Sequence, residues 1–308
     1  MNFDYKMLKK ALIAFGVLAP IALCLRLFTY WKELEITTGF FSGNGAGCFI
    51  YNVIGFVVFF LCLLLSLNKR GSFVGASADK AASPAEEGDD LLRQEEEELF
   101  DEIVEEYPEY FLHGFAKKCS VWYGTFSAFA ALLPGFGLVS HGLSFLIEKE
   151  NYSDIYAMIY AVLALISGAF FLLYAFRNSS ERSHFVAFLA LAPAFWCTLR
   201  LIVEYRDLTR FLNKSLYVGQ FLFVISALIF FLYQAEILLG EEKITRPNAY
   251  AFSGLAVLFF GVTARFPQLI AMMGDQIQFD LYTSTALLAD LAITVFVVSK
   301  LAAIAKRR

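Results

Sequence analysis

Histidine is scarce in this chain, and the motifs of common metal and nucleotide sites are missing. The 308 residues include only three histidines, His113, His141 and His184, and they show neither an HExxH pattern nor a Cys/His ligand spacing. We therefore predict no metal site. The run GNGAG at 43–47 lacks both the GxGxxG spacing and a preceding strand. We interpret it as an outer loop and predict no cofactor.

Paired cysteines and a convincing nucleophile are also lacking. The five cysteines show no CxxC pairing, so they are interpreted as small buried hydrophobes without a disulfide framework. Ser140, His141 and Asp154 supply the residue types of a hydrolytic triad. Adjacent helical residues point about 100° apart, however, and no GxSxG turn is present. The sequence leaves an enzymatic activity open but favours a protein that is not an enzyme.

The chain is richer in apolar residues than a soluble protein. Hydrophobic residues make up 58% and aromatic residues 17% of the sequence, and the mean hydropathy is +0.60. Soluble domains are typically about 45–50% apolar. The excess is concentrated in blocks of about 20 residues, the length that a helix needs to cross a hydrocarbon core of about 30 Å. The composition therefore predicts an integral membrane protein surrounded by the lipid bilayer.

The apolar blocks predict an all-α transmembrane bundle of eight spans. The spans cover 11–31, 48–67, 119–146, 153–176, 184–204, 215–239, 248–272 and 281–301. The chain then divides into spans 1 and 2 in 1–70, an acidic insert in 71–118, spans 3 and 4 in 119–180, and spans 5 to 8 in 181–308.

Lysine and arginine favour one side of the predicted membrane. The basic residues at both termini and in the loops after even-numbered spans share a side, whereas Arg206, Arg210 and Lys214 form a contrary cluster. The positive-inside rule places both termini in the cytoplasm, and we expect the protein in the plasma membrane. Because the basic residues are scattered over loops, we predict no nucleic-acid partner.

One acidic segment accounts for the negative net charge. Residues 71–110 contain 14 acidic and two basic residues, a net charge of −12, whereas the rest of the chain carries +8. The first part resembles a disordered linker. The second part places Leu92, Leu99 and Ile103 at helical spacing, with acidic residues on the opposite face. We predict that an amphipathic helix within 85–110 docks on the protein's own basic loops or on a basic protein partner.

A ten-residue phrase returns in the second half of the chain. LRLFTYWKEL at 25–34 aligns with LRLIVEYRDL at 199–208, with four identical and three conservative positions. DIY at 154–156 aligns with DLY at 280–282 at an offset of 126, whereas spans 3 and 7 align poorly. We predict a parallel 4+4 internal duplication with a pseudo-two-fold axis along the membrane normal. Chance similarity between apolar sequences is the alternative.

Five charged or titratable residues inside the spans are candidate binding residues: Arg26, His141, Arg200, Arg265 and Asp290. Asp290 lies near the middle of span 8, where a charge costs about 2.5–3.5 kcal/mol on insertion scales. We expect it to face protein, either protonated or paired with Arg200 or Arg265. The other residues lie nearer the outer membrane boundary. The alternative for Arg26 and Arg200 is a structural role, by snorkelling or by pairing with Glu33, Glu204 and Asp207.

Two functions remain open from the sequence. The first is a transporter-like bundle, or one that binds a small anion or solute, with a cavity near Asp290 and the arginines. The second is a non-catalytic scaffold or regulatory subunit that docks a partner through the acidic helix. Polar side chains converging on a cavity would favour transport, whereas tight pairing without a void would count against it.

Overall fold

The computed structural model describes the helical parts of the chain. The described residues are 5–32, 46–67, 121–147, 155–176, 188–210, 216–239, 247–274 and 281–305. Every element within these ranges is a helix, so the predicted all-helical class is confirmed. The helix predicted within 85–110 lies outside the described residues.

Nine α-helices and one π-helical segment make up the described fold. They are α1 Tyr5–Lys32, α2 Ala46–Leu67, α3 Val121–Ile147, α4 Ile155–Phe176, α5 Ala192–Arg210, α6 Leu216–Leu239, α7 Pro247–Phe260, the π segment Gly261–Arg265, α8 Phe266–Met273 and α9 Leu281–Ala305. α7, the π segment and α8 follow one another without a break and form one continuous helical unit. This unit and six other helices, α1, α2, α3, α4, α6 and α9, are long and apolar enough to cross a membrane.

The fifth predicted span differs from the others. The sequence predicted 184–204, but α5 begins at Ala192, after a turn at Ala190 and Leu191. Pro193 explains this start, because proline is tolerated in the first turn of a helix and disrupts its interior. The helix then continues to Arg210 through a charged C-terminal half. A total of eight membrane spans therefore stays a prediction.

α1 and α2 lie at the edge of the bundle. The buried residues of α1, including Ala19, Ala22, Arg26 and Tyr30, recur at steps of three and four and share one face. Only 17% of the spanning window of α1 or α2 is buried, against 67% for the unit of α7, the π segment and α8. The exposed faces carry large apolar side chains such as Phe60, which suits contact with lipid.

Glycines bring α3 close to its neighbours. A Cβ atom at Gly168 of α4 would lie 2.9 Å from the carbonyl oxygen of Gly135 on α3. A Cβ atom at Gly137 would lie 3.0 Å from Cα of Ala289 on α9. Small residues allow such close approach of membrane helices. Because Asp290 follows Ala289, this packing seats the mid-span aspartate inside the bundle.

Aromatic rings and one lysine join α4, α6 and α9 in the core. Phe171 packs edge-to-face on Phe231 and on Phe296, with ring centroids 5.7 and 5.1 Å apart. One turn beyond Phe296, Lys300 is buried, and its Nζ donates a hydrogen bond of 2.6 Å to the hydroxyl of Tyr174. The ammonium group also lies 4.6 Å from the centroid of that ring, within the range of a cation–π contact.

Candidate functional site

Asp290 is fully buried and is held by two arginines from different elements. Arg200 of α5 donates from Nη1 to Oδ1 and from Nη2 to Oδ2, the second at 2.7 Å. Nη2 of Arg265, in the π segment, lies 2.5 Å from Oδ2. Both arginines are buried. Asp290 therefore faces protein, and both of the partners that the sequence suggested contact it.

Glu204 adds a second carboxylate to this group. It lies one turn after Arg200 and accepts a hydrogen bond of 2.7 Å from Nε of that arginine. Its Oε1 lies 3.8 Å from Nη2 of Arg265. We call Arg200, Glu204, Arg265 and Asp290 the charge cluster. Two guanidinium and two carboxylate groups give it no net charge, which matters because an unpaired buried ion costs several kcal/mol, roughly 3–5 when one partner is removed.

The π segment positions Arg265. The backbone N–H of Phe266 donates to the carbonyl oxygen of Gly261, five residues earlier, so this turn is wider than an α-helical turn. Pro267 supplies a local reason. It has no N–H to donate to the carbonyl of Thr263, and its ring would clash with that carbonyl in a regular α-helix. The extra residue in the turn changes the direction of the side chains that follow.

Gly261 seats the π segment directly on α9. A Cβ atom at this position would lie 2.6 Å from Cγ2 of Thr294. The hydroxyl of Thr294 donates a hydrogen bond of 2.8 Å to the backbone carbonyl of Asp290. The absence of a side chain at Gly261 therefore lets the element that carries Arg265 pack against the turn of α9 that carries Asp290.

Gln268 extends the charge cluster along α8. Its Oε1 accepts a hydrogen bond of 3.0 Å from Nη1 of Arg265. Gln268 is 1% exposed. The guanidinium of Arg265 is thus held on one side by the carboxylate of Asp290 and on another by the amide of Gln268, which fixes its plane.

Arg26 lies in different surroundings from Arg200. Its guanidinium carbon lies 4.5 Å from the ring centroid of Tyr51 and 5.3 Å from that of Tyr30, and Nη1 donates to Sγ of Cys48 at 3.4 Å. The hydroxyl of Tyr51 lies 3.3 Å from Oγ1 of Thr263 in the π segment. Arg26 therefore does not join the charge cluster, but Tyr51 connects its surroundings to the segment that carries Arg265.

His141 lies in a box of aromatic rings formed by Tyr160, Trp196 and Tyr282. Its Nε2 lies 2.8 Å from the hydroxyl of Tyr160, and Nδ1 lies 3.2 Å from Oγ1 of Thr285. Its ring packs edge-to-face on Trp196, with centroids 6.2 Å apart, and Trp196 in turn lies 5.1 Å from the guanidinium carbon of Arg200. The aromatic box is thus joined to the charge cluster through Trp196.

A small cavity lies apart from these charges. It has a volume of about 20 Å³ and opens between α2, α6 and α7. Its lining includes Cys62, Ser226 and Ser253 and contains no member of the charge cluster. A space of this size holds about one water molecule. Arg200, Arg265 and Asp290 themselves are buried against protein.

The structure thus brings together three of the five candidate binding residues and connects His141 to them. The sequence named Glu204 as a structural partner of Arg200 but did not include it in a site, although the spacing of four residues was a usable signal. Nothing in the sequence singled out Gln268 or Thr285. Among the described residues, no group of three histidine, cysteine, aspartate or glutamate side chains is placed to hold a metal ion.

The chain matches no protein-family model, no protein with a curated description and no solved structure. Two buried guanidinium groups that converge on one carboxylate form a receptor for carboxylate oxygens, because the planar fork of arginine matches that geometry.

Proposed function

We propose that the protein is a transporter-like membrane bundle that binds a small carboxylate anion at the charge cluster. The observation that carries this proposal is the position of the Asp290 carboxylate, which fills the fork of Arg200 and also contacts Arg265. That carboxylate stands where the carboxylate of a solute would bind. Ionisable residues buried within membrane spans commonly mark the pathways of solutes and ions.

Charge balance sets the condition for exchange between the solute and Asp290. The cluster is neutral when both carboxylates are ionised. A bound monoanion would leave one excess negative charge if Asp290 remained ionised beside it. The cluster stays neutral when Asp290 takes up one proton as the solute binds, so the proposal couples one anion to one proton.

Asp290 is tightly paired and the small cavity does not adjoin it, which counts against an open transport site and leaves only a form of the proposal in which the cluster opens first. An open cavity lined by the arginines would need no rearrangement, whereas the paired cluster is a closed state. Binding therefore requires a second conformation in which Asp290 leaves Arg200. If that conformation does not exist, the cluster is a structural staple.

Binding is tested on the purified protein in detergent by isothermal titration calorimetry with sodium acetate. We expect acetate to bind and acetamide, its uncharged analogue, not to bind. Arg200→Gln should abolish binding because it removes the fork. Arg26→Gln, the arginine of the matching phrase, should leave binding unchanged. Equal responses to acetate and acetamide would contradict the proposal.

The architecture that goes with this function has eight spans, a 4+4 duplication and both termini in the cytoplasm of a plasma membrane protein. Its support is the eight apolar blocks, the repeated phrase and the distribution of basic residues. In a background without reactive native cysteines, a cysteine at Ser42 should be labelled from outside the cell and one at Ser83 should not. The reverse labelling would overturn the orientation.

The second candidate function is a non-catalytic scaffold or regulatory subunit. A neutral cluster with tightly paired charges also suits a rigid bundle whose activity lies in its cytoplasmic insert. Deletion of 85–110 should then abolish co-purification of a partner protein without changing the melting temperature of the bundle. Unchanged co-purification would exclude docking through this segment.

A further inference from the structure

α5 packs extensively on some of its neighbours and not on others. Within the described ranges it packs along α4 and α6, whereas it shows no comparable packing on α9 or on the π segment. Side chains of the charge cluster link α5 to those two elements. On another face of α5, Phe195 and Ile202 are 57% and 60% exposed. Separating α5 from α9 would therefore part the charge cluster without disrupting an extended interface between those two helices.

The charge cluster consists of two ion pairs, one on each side of this boundary. Arg200 and Glu204 both belong to α5 and are paired within that helix at 2.7 Å. Arg265 and Asp290 belong to the π segment and α9 and are paired at 2.5 Å. Each pair is neutral. If the two sides part, no charge is left without a counter-ion, which is the main cost of breaking a buried ion pair.

Other ways of dividing the four residues would separate opposite charges. A displacement of the π segment alone would leave Arg265 as an isolated cation. A displacement of α9 alone would leave Asp290 as an isolated anion. The boundary between α5 and the other two elements is therefore the division of these four residues, element by element, that keeps both sides neutral.

The guanidinium group of Arg200 meets its two carboxylate partners along different edges. Nε donates to Glu204, whereas Nη1 and Nη2 donate to Asp290. Asp290 can therefore leave while Glu204 stays in place. Because Nε remains tied to its own helix, the guanidinium keeps its orientation, and Nη1 and Nη2 form a vacant fork for the carboxylate of a solute.

We infer that the charge cluster opens along the boundary between α5 and α9, and that Glu204 is the counter-ion and positioning residue of Arg200 in the open state. This inference supplies the opening step that the proposed function requires, and the role of the solute in it rests on that function. Glu204 stabilises the open state because it keeps the side of α5 neutral after Asp290 has left.

A native cysteine reports on this opening. Cys197 lies three residues before Arg200 and seven before Glu204, on the same face of α5, and it is 0% exposed. Maleimides react with the thiolate, which forms where the thiol meets water. The purified protein in detergent is treated with N-ethylmaleimide, and peptide mass spectrometry follows each cysteine over time. Cys48, which is 5% exposed on α2, is the internal control.

Two results are expected from this labelling experiment. In the wild-type protein, the rate at Cys197 should stay constant over low urea concentrations, because a local opening exposes little surface. Glu204→Gln keeps the shape and the acceptor for Nε but leaves Arg200 without a counter-ion in the open state. Cys197 should then react about tenfold more slowly, with Cys48 unchanged. Glu236→Gln, on α6 and outside the charge cluster, is the matched control and should change neither rate.

Faster or unchanged labelling of Cys197 in Glu204→Gln would overturn the inference, since weakening a purely structural staple promotes unfolding. Labelling of wild-type Cys197 only in step with global unfolding would overturn it as well, and that measurement needs no variant. If either occurs while acetate binds, the proposed function stands and the opening lies elsewhere. If Cys197 behaves as expected and acetate does not bind, the opening stands and the proposed function fails.

Discussion

Arg26 and Arg200 occupy the same place in a repeated phrase, yet they are held by different chemistry. Arg200 pairs with Asp290 and Glu204 through charged hydrogen bonds. Arg26 lies over the rings of Tyr30 and Tyr51. Arg26 lies on the buried face of α1 and Arg200 on the buried face of α5, so the position of each residue along its own helix explains its burial. The neighbouring helices decide whether the buried cation meets carboxylates or aromatic rings.

The largest loss of stability is expected from Asp290→Ala. Removing this carboxylate leaves two buried guanidinium groups facing each other, which should lower the free energy of unfolding by about 3–5 kcal/mol. The measurement is chemical unfolding in detergent micelles. Acetate should restore part of the lost stability by occupying the vacated fork, and acetamide should not.

Ser299→Ala is the control for that variant, because Ser299 is buried on the same helix and its hydroxyl donates only within that helix. A loss of stability in Asp290→Ala no larger than in this control would show that the charge cluster contributes little to folding. The different surroundings of Arg26 and Arg200 would then make no measurable difference to the free energy of unfolding.

The next effect is expected from Gly261→Ala, which tests whether the π segment maintains the surroundings of Arg200. The added methyl group overlaps Thr294 and should destabilise the protein by about 1–3 kcal/mol. Gly16→Ala is the control, because a Cβ atom there would meet no described residue within 4 Å. Adding Thr294→Ala should recover part of the loss. Equal effects at Gly16 and Gly261 would contradict the packing described.

Lysine substitutions at Arg26 and Arg200 should lower the free energy of unfolding by different but smaller amounts. Arg200→Lys loses the two-pronged pair and should cost about 2 kcal/mol, whereas Arg26→Lys keeps a cation over the rings and should cost less than about 1 kcal/mol. Unfolding of both variants under identical conditions gives the comparison. Equal losses would mean that the carboxylates and the rings hold their cations equally well.

The smallest effect is expected from Tyr51→Phe. The ring beneath Arg26 remains, but the hydroxyl contact with Thr263 is lost, so the free energy of unfolding should fall by about 1 kcal/mol. Tyr233→Phe is the control, on a half-buried tyrosine of α6. A loss well above this value in Tyr51→Phe would indicate that the link to the π segment supports the charge cluster itself.

Sequence reasoning predicted the helical class and a position of Asp290 against protein, either protonated or paired, because both follow from the cost of placing polar groups in lipid. The spacing of Arg200 and Glu204 also allowed an ion pair to be anticipated. The π segment could not be predicted, since Pro267 permits a kink, a break or a wider turn, and packing against Thr294 selects among them. The contact of Gln268 with Arg265 could not be predicted either, because the wider turn changes the spacing of the side chains around it.

The contact of Gly261 with Thr294 has a counterpart in the first half of the chain. Gly135 and Gly168 lie 126 residues before Gly261 and Thr294, and they also meet at a helix crossing. At this offset, which aligns DIY with DLY, spans 3 and 7 share five identical residues within 126–135 and 252–261. The match ends at Gly261, where the π segment adds a residue to the turn. At the same offset, residues 119–125 and 245–251 share no identical residue, so the poor alignment is not confined to the part after Gly261.

The hydrogen bond between Tyr174 and Lys300 joins two residues that this same offset aligns. These two residues are themselves 126 positions apart, and they contact each other. In a two-fold arrangement, a residue meets its own equivalent only beside the rotation axis. Such an axis would also pack α7 on α4 as closely as α3 packs on α9, and the described helices do not show that second contact. If the two halves share an origin, their packing has diverged, and the charge cluster belongs entirely to the second half of the chain.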